Sequence, residues 1–185
     1  MNFHLGMWYA VRVRSRHEQT AVRALEARKF PCYLPLYRAR RRWSDRTKVL
    51  DLPLFPGYVF CNFQPEDQSR IVKAPGVVSV LNFGGKLVPV NTEELQHVEV
   101  VAKSGLDIMP LSQLVSGARV YLEDGPLRGM EGVVTWVRNT FRLVVSVTLL
   151  QRAVSVEIER EWIRPERLII PSPKRSSNLP LPRSA

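Results

Sequence analysis

Six cations crowd the stretch from Arg38 to Lys48: Arg38, Arg40, Arg41, Arg42, Arg46 and Lys48, with Asp45 the only acid among them. Guanidinium groups hold phosphate and carboxylate oxygens through a planar fork of N–H donors. If the stretch is a β-hairpin, Arg38, Arg40 and Arg42 share one face, because side chains alternate along a strand. Trp43 sits among them and could stack on an exposed base. The chemistry on offer is contact with a nucleic-acid backbone or with an acidic protein surface. The plainer alternative is a solvated hairpin tip kept soluble by its charge. Arg12, Arg14 and Arg16 form a second basic line, which outward strand positions would also explain.

No reaction centre assembles from the remaining residues, and the expectation is that the chain is not an enzyme. It has no glycine-rich phosphate loop followed by Lys and no His-x-x-x-His pair. His4, His17 and His97 are scattered, so neither a metal nor a cofactor is expected. Cys32 and Cys61 lie in apolar strand-like runs and read as buried hydrophobes. No apolar run reaches membrane-spanning length, and the start lacks a signal-peptide layout. Those features predict a cytoplasmic protein with no membrane partner.

The formal charge of +10 on 185 residues makes an anionic partner plausible. The charge is unevenly divided. Residues 1–104 carry 16 Lys/Arg against 9 Asp/Glu, whereas residues 117–167 carry 8 against 7. Two regions with different partners are implied.

The elements that would position these residues follow from local pattern. Residues 8–13, "WYAVRV", predict a first strand. Ser15 and Glu18 form a capping-box pattern, and Ala21 and Leu25 continue at helical spacing to about Phe30. Residues 32–43 and 47–52 predict the arms of a hairpin. Residues 65–73 predict a short helix and residues 77–81 a strand. Asn91 caps a helix with Leu95, Val98 and Ala102 on one face. Between them lies "LPLFPGYVF", residues 52–60. After its Pro-Gly turn, Tyr58 and Phe60 face one way and Val59, Cys61 and Phe63 the other. Val59, Cys61 and Phe63 are expected to pack on the helices beginning near His17 and Thr92. Phe55, Tyr58 and Phe60 are expected to form a partly open patch.

Strands and helices mix without βαβ alternation. The predicted fold is α+β: an amino-terminal α/β sandwich with a mostly antiparallel sheet over residues 7–104. Residues 105–116, which include Pro110, predict a linker. Residues 117–168 hold short valine-rich runs at 119–122, 131–138, 142–149, 153–158 and 162–164, separated by turns, which predict a small SH3-like β-barrel. Gly125, Gly129 and Gly132 sit in its first turn region, "SGARVYLEDGPLRGMEG". The Pro- and Ser-rich residues 169–185 predict a disordered tail.

Four segments in order, "MWYAVRVRSRHEQTAVRALEARKFPCYLPLY", "LPLFPGYVFCNF", "APGVVSVLNFGGKLVPV" and "VSGARVYLEDGPLRGMEG", resemble the NusG family of transcription elongation factors. The first three are similar to its amino-terminal NGN domain. The region Gly125–Gly129 is similar to its KOW motif, with Leu127 where the family often has Phe. The "RSRHE" helix start and "PLFPGYVF" look closer to specialised paralogues of RfaH or UpxY type.

The resemblance implies an elongation and antitermination factor that suppresses pausing or termination. Its first domain would dock on the clamp helices of the RNA polymerase largest subunit and bridge to the second-largest subunit. By position, Phe55, Tyr58 and Phe60 match the aromatic docking patch, and Arg14 and Arg16 fall where the family meets upstream or non-template DNA. Arg12 replaces an aromatic docking residue of one paralogue. Asp67–Arg70 replaces that paralogue's contact to the second subunit. The KOW domain would recruit Rho or a small-subunit ribosomal protein, and a monomer is expected. The β-branched runs at 143–147 and 153–158 argue for a barrel over the helical hairpin seen in one paralogue. A ribosome-associated RNA-binding KOW protein is the rival reading, opposed by the near-neutral charge of residues 117–167.

Overall fold

The computed structural model describes residues 3, 6–42, 47–112, 117–137 and 140–163. The predicted tail and Arg46 lie outside them. Two antiparallel sheets organise the chain, with three helices packed on the first.

The amino-terminal sheet has the order β2-β5-β1-β6, formed by Cys32–Tyr33, Tyr58–Asn62, Trp8–Val13 and Val77–Val80. All its pairings are antiparallel. Its central strand β1 buries Trp8 through Val11 and Val13 and exposes only Arg12. A register shift against β6 falls between Arg12 and Val13. Such bulges re-aim side chains at a sheet.

One face of this sheet packs on the first of the two expected helices. Tyr9, Val11, Val59, Cys61 and Phe63 are buried with Ala21 and Leu25 of α1 (Glu18–Glu26) and Ile71 of α2 (Gln68–Val72). The helix starting at Thr92 is not part of that layer. This helix, α3 (Thr92–Lys103), places Leu95, Val98 and Val101 in a second buried cluster with Trp8, Ala10, Phe55 and Phe60. Both faces of β5 are therefore covered. Cys32 and Cys61 sit opposite each other on β2 and β5, buried, with sulfurs 3.6 Å apart. The Cys32 contact and burial push the Cys61 thiol well above its ordinary range.

The local signals hold unevenly. Asn91 caps α3 as predicted, its side chain accepting from the Glu93 N–H at 2.8 Å. Ser15 does not cap α1. The helix opens at His17 without a side-chain cap, and the Glu18 carboxylate instead accepts from the Gly57 N–H at 2.9 Å.

The basic stretch forms a hairpin of its own, β3 (Leu36–Arg42) paired with β4 (Thr47–Pro53) and joined to neither sheet. A further small hairpin, β7 (Asn82–Phe83) with β8 (Lys86–Leu87), turns at Gly84-Gly85. Sequence reading missed it, although two glycines between short apolar arms are a hairpin signal.

The carboxy-terminal sheet has five strands in the order β10-β11-β12-β13-β9. They are Ala118–Tyr121, Glu131–Val137, Thr140–Val147, Arg152–Ile158 and Ile108–Leu111. The last corrects residues 108–111 of the predicted linker, whose residues 113–116 lie outside the described ones. Residues 108–111 are an edge strand paired with β13, and an edge is where Pro110 can sit without breaking a ladder. The buried Arg142 fixes this edge. Its Nε donates to Ser155 Oγ at 3.1 Å, and its Nη2 donates to the Asp107 carbonyl at 3.1 Å. Of residues 162–164, expected to be the fifth strand, Trp162 ends a 3-10 turn, Ile163 makes an isolated bridge to Leu122, and Arg164 lies outside the described residues. Among the described residues no helix is long and apolar enough to cross a membrane.

Candidate functional site: an aromatic face and its cover

Phe55, Tyr58 and Phe60 are brought together where the Pro56-Gly57 turn enters β5. Phe60 stands edge-on to Phe55, with ring centres 5.8 Å apart, and stacks on Tyr33 at 6.3 Å. Phe3 meets both Trp8 and Tyr33 edge-on at 5.0 Å. The result is a continuous aromatic layer, with Trp8 Nε1 and the Tyr33 hydroxyl buried and unpartnered among the described residues. Burial, with the Glu99 carboxylate adding to it, pushes the Tyr33 hydroxyl well above its ordinary value.

The turn that presents these rings is held from below. Glu18, 7 % exposed, takes the Gly57 N–H, and the Val13 N–H donates to the Gly57 carbonyl at 2.9 Å. Glu18 is a positioning residue that the sequence disguised as half of a capping box.

The face is not open. Phe55 is 1 % and Phe60 0 % exposed, and only Tyr58 keeps partial exposure. The same buried cluster continues into Val145, Val147 and Val154 of the carboxy-terminal sheet and Leu150 in the turn between β12 and β13. Strand β12 packs against α3. Among the described residues, three hydrogen bonds and one cation–π contact tie the two sheets and their flanking elements together. Arg152 Nη1 donates to the Pro56 carbonyl at 3.0 Å, and its guanidinium lies over the Tyr58 ring, 5.1 Å from the centre. Glu94 accepts from the Thr148 hydroxyl at 2.6 Å and from the Thr148 N–H at 3.1 Å. Arg152, Glu94 and Thr148 carried no local sequence signal. Their roles come from pairing across 54 and 96 residues of chain.

The basic residues occupy different elements. Arg14 and Arg16 are exposed just after β1, with Arg16 in the left-handed region at φ 63°. Arg38, Arg40, Arg41 and Arg42 all lie on β3, where Arg38, Arg40 and Arg42 take alternate register positions opposite Asp51, Val49 and Thr47. Arg38 is exposed and Lys48, opposite Arg41, is half-buried.

Gly125, Gly129 and Gly132 shape the turn between β10 and β11. Gly125 has φ +75°, and a Cβ there would lie 2.5 Å from the Trp162 ring. The Gly129 N–H donates to the Leu122 carbonyl at 2.8 Å. Gly132 lets β11 approach Leu143 on β12, whose Cδ1 would meet a Cβ at 2.7 Å. These are demands of backbone and packing, with no reactive group among them.

A family model described as "Transcription termination factor nusG" matches residues 6–99, which hold the first sheet, the aromatic face and most of α3. The chain belongs to the NusG family. The "Transcription termination/antitermination protein NusG" of Thermus thermophilus is 27 % identical over 173 residues, covering 82 % of this chain and 94 % of that protein. The Lactococcus lactis protein of the same name is 26 % identical over 140 residues, 70 % of this chain and 72 % of its own. Both relatives carry the general NusG name, so the specialised RfaH or UpxY assignment gains nothing from them. A solved structure described as "Domain interaction in Thermotoga maritima NusG" aligns over 88 % of this chain and 98 % of its own, with TM-score 0.52 and 20 % identity. That likeness concerns the fold, a mixed α and β architecture with antiparallel sheets. The chain is thus a NusG-type transcription factor.

Proposed function

We propose that the protein is a transcription elongation and antitermination factor that binds RNA polymerase through the face carrying Phe55, Tyr58 and Phe60. The observation that supports this most is the match of residues 6–99 to the family, together with the convergence of those three rings on one turn. Aromatic clusters of this kind dominate protein interfaces once exposed. The proposed receptor is the clamp-helix region of the largest subunit, with a bridge to the second-largest subunit. Arg14, Arg16 and the β3–β4 hairpin, with Arg38, Arg40, Arg41, Arg42, Arg46 and Lys48, would then lie toward DNA or an acidic polymerase surface. Residues 7–104 are the docking unit. The carboxy-terminal sheet, read as a KOW barrel, recruits a further factor such as Rho or a small-subunit ribosomal protein.

In the arrangement described here the docking face is occupied. Polymerase binding then requires the carboxy-terminal sheet to leave Phe55 and Phe60, and the polymerase must gain more than that contact is worth. The test is a reconstituted bacterial elongation complex with the full chain added. Pause half-lives should shorten, and the protein should comigrate with the polymerase. Unchanged pausing together with no comigration would overturn the reading.

A further inference from the structure

A cleft of about 490 Å³ opens between the two sheets, beside the covered face. Its walls are Arg12, Ser15, Pro56, Gly57 and Tyr58 from the first sheet and its turns, and Arg152 from the start of β13. We propose that this cleft is a binding site for a phosphate group, and that it is complete only when the two sheets are together.

The argument starts from charge. Two arginines line one concave space, and no carboxylate among the described residues lines it. The acid tied to this wall is Glu18, which is buried and accepts the Gly57 N–H. Arg12 is exposed, sits beside the register shift between β1 and β6, and has no hydrogen-bond or ionic partner among the described residues. Arg152 uses Nη1 on the Pro56 carbonyl and rests its plane on Tyr58, which fixes the fork and leaves its other N–H donors for a ligand. The Ser15 and Tyr58 hydroxyls add neutral donors on the same walls.

Donor type and placement select the ligand. Two planar forks lining one cleft, with Ser15 and Tyr58 among its walls, suit an oxyanion offering acceptors in several directions. A phosphate group does this better than a planar carboxylate. The cleft is open, so the phosphate can belong to a free ion or to a nucleic-acid backbone. Because Arg12 and Arg152 come from different sheets, occupancy stabilises their contact by linkage.

The experiment is calorimetric titration of the full chain with inorganic pyrophosphate at low salt, and with a short oligo(dT) as competitor. Arg12→Gln and Arg152→Gln should each weaken pyrophosphate binding about tenfold or more, the usual scale for a lost charge-assisted hydrogen bond. Arg12→Gln is the cleaner variant, since Arg12 makes no contact that holds the sheets together. Arg119→Gln, an exposed arginine on β10, should change nothing. Competition by oligo(dT), lost in both cleft variants, assigns the phosphate to a nucleic-acid backbone. Pyrophosphate binding without competition assigns it to a free ion. Absence of pyrophosphate binding overturns the proposal. So does binding that Arg119→Gln weakens as much as Arg12→Gln, which would mean diffuse attraction to a basic chain.

Discussion

The Arg152 guanidinium lies over the Tyr58 ring, 5.1 Å from its centre, while its Nη1 holds the Pro56 carbonyl at 3.0 Å. One side chain of the carboxy-terminal sheet thus grips both the turn and the aromatic ring of the proposed docking face. A cation over a partly exposed ring contributes about 0.5–1 kcal/mol, and the hydrogen bond about 1 kcal/mol. Arg152→Ala should therefore weaken closure by about 1–2 kcal/mol, a factor of about 5–30 in the open population. The check is the rate of Tyr58 nitration, read by mass spectrometry. It should rise severalfold in Arg152→Ala, while Tyr9, which is buried within the first unit, should react as before.

Glu94 and Thr148 make the second tie. The carboxylate takes both the hydroxyl and the N–H of one residue just after β12. The pair is exposed, so its value is reduced by solvent to about 0.5–1.5 kcal/mol. A double-mutant cycle with Glu94→Gln and Thr148→Val, measured by denaturant unfolding, should return a coupling energy of that size. Strict additivity would mean the contact does not hold the sheets together.

Where the physics is local, the chain was legible. The Asn91 cap, the hairpin arms around residues 43–46, and the alternation of Val59, Cys61 and Phe63 depend on neighbours within a few residues. The alternation even identified the two faces of β5. What covers the second face was not legible, because Arg152 reaches Pro56 across 96 residues and no period encodes that. The same holds for Glu18. Its spacing from Ser15 fits a cap, yet the carboxylate gains a better-shielded partner in the Gly57 N–H. Pro110 suggested a break, but its partner β13 turned that stretch into an edge strand. The basic residues of β3 were visible as a cluster, and their isolation on a separate two-stranded sheet was not.

Glycine substitutions separate conformational strain from crowding. Gly84, at φ +56°, has nothing within 4 Å of an added Cβ, so Gly84→Ala should cost about 1 kcal/mol from backbone strain alone. Gly125 has the same kind of backbone but faces the Trp162 ring at 2.5 Å. Trp162 would have to move, and its carbonyl holds the Glu123 N–H at 2.9 Å. Gly125→Ala should cost about 2–4 kcal/mol, adding overpacking to strain. Thermal unfolding followed by tryptophan fluorescence distinguishes the two. Equal losses would show that the Trp162 ring yields freely.

The sharpest comparison is between the two faces of β5. A patch reserved for a partner would tolerate Phe60→Ala in the free protein, whereas Phe63→Ala would leave a core cavity. The structure predicts otherwise. Phe60 is 0 % and Phe63 3 % exposed, and each is packed among aromatic or aliphatic neighbours. Both truncations should cost about 3–5 kcal/mol by denaturant unfolding of the full chain. The two differ in what they lose. Phe63 packs with Tyr9 at 4.7 Å inside the first cluster, which no described residue of the carboxy-terminal sheet enters. Phe60 belongs to the cluster shared with Val147 and Val154. Phe60→Ala should therefore also speed Tyr58 nitration, and Phe63→Ala should not do so under native conditions. A Phe60→Ala protein as stable as the parent would mean that the carboxy-terminal sheet leaves this face open in solution.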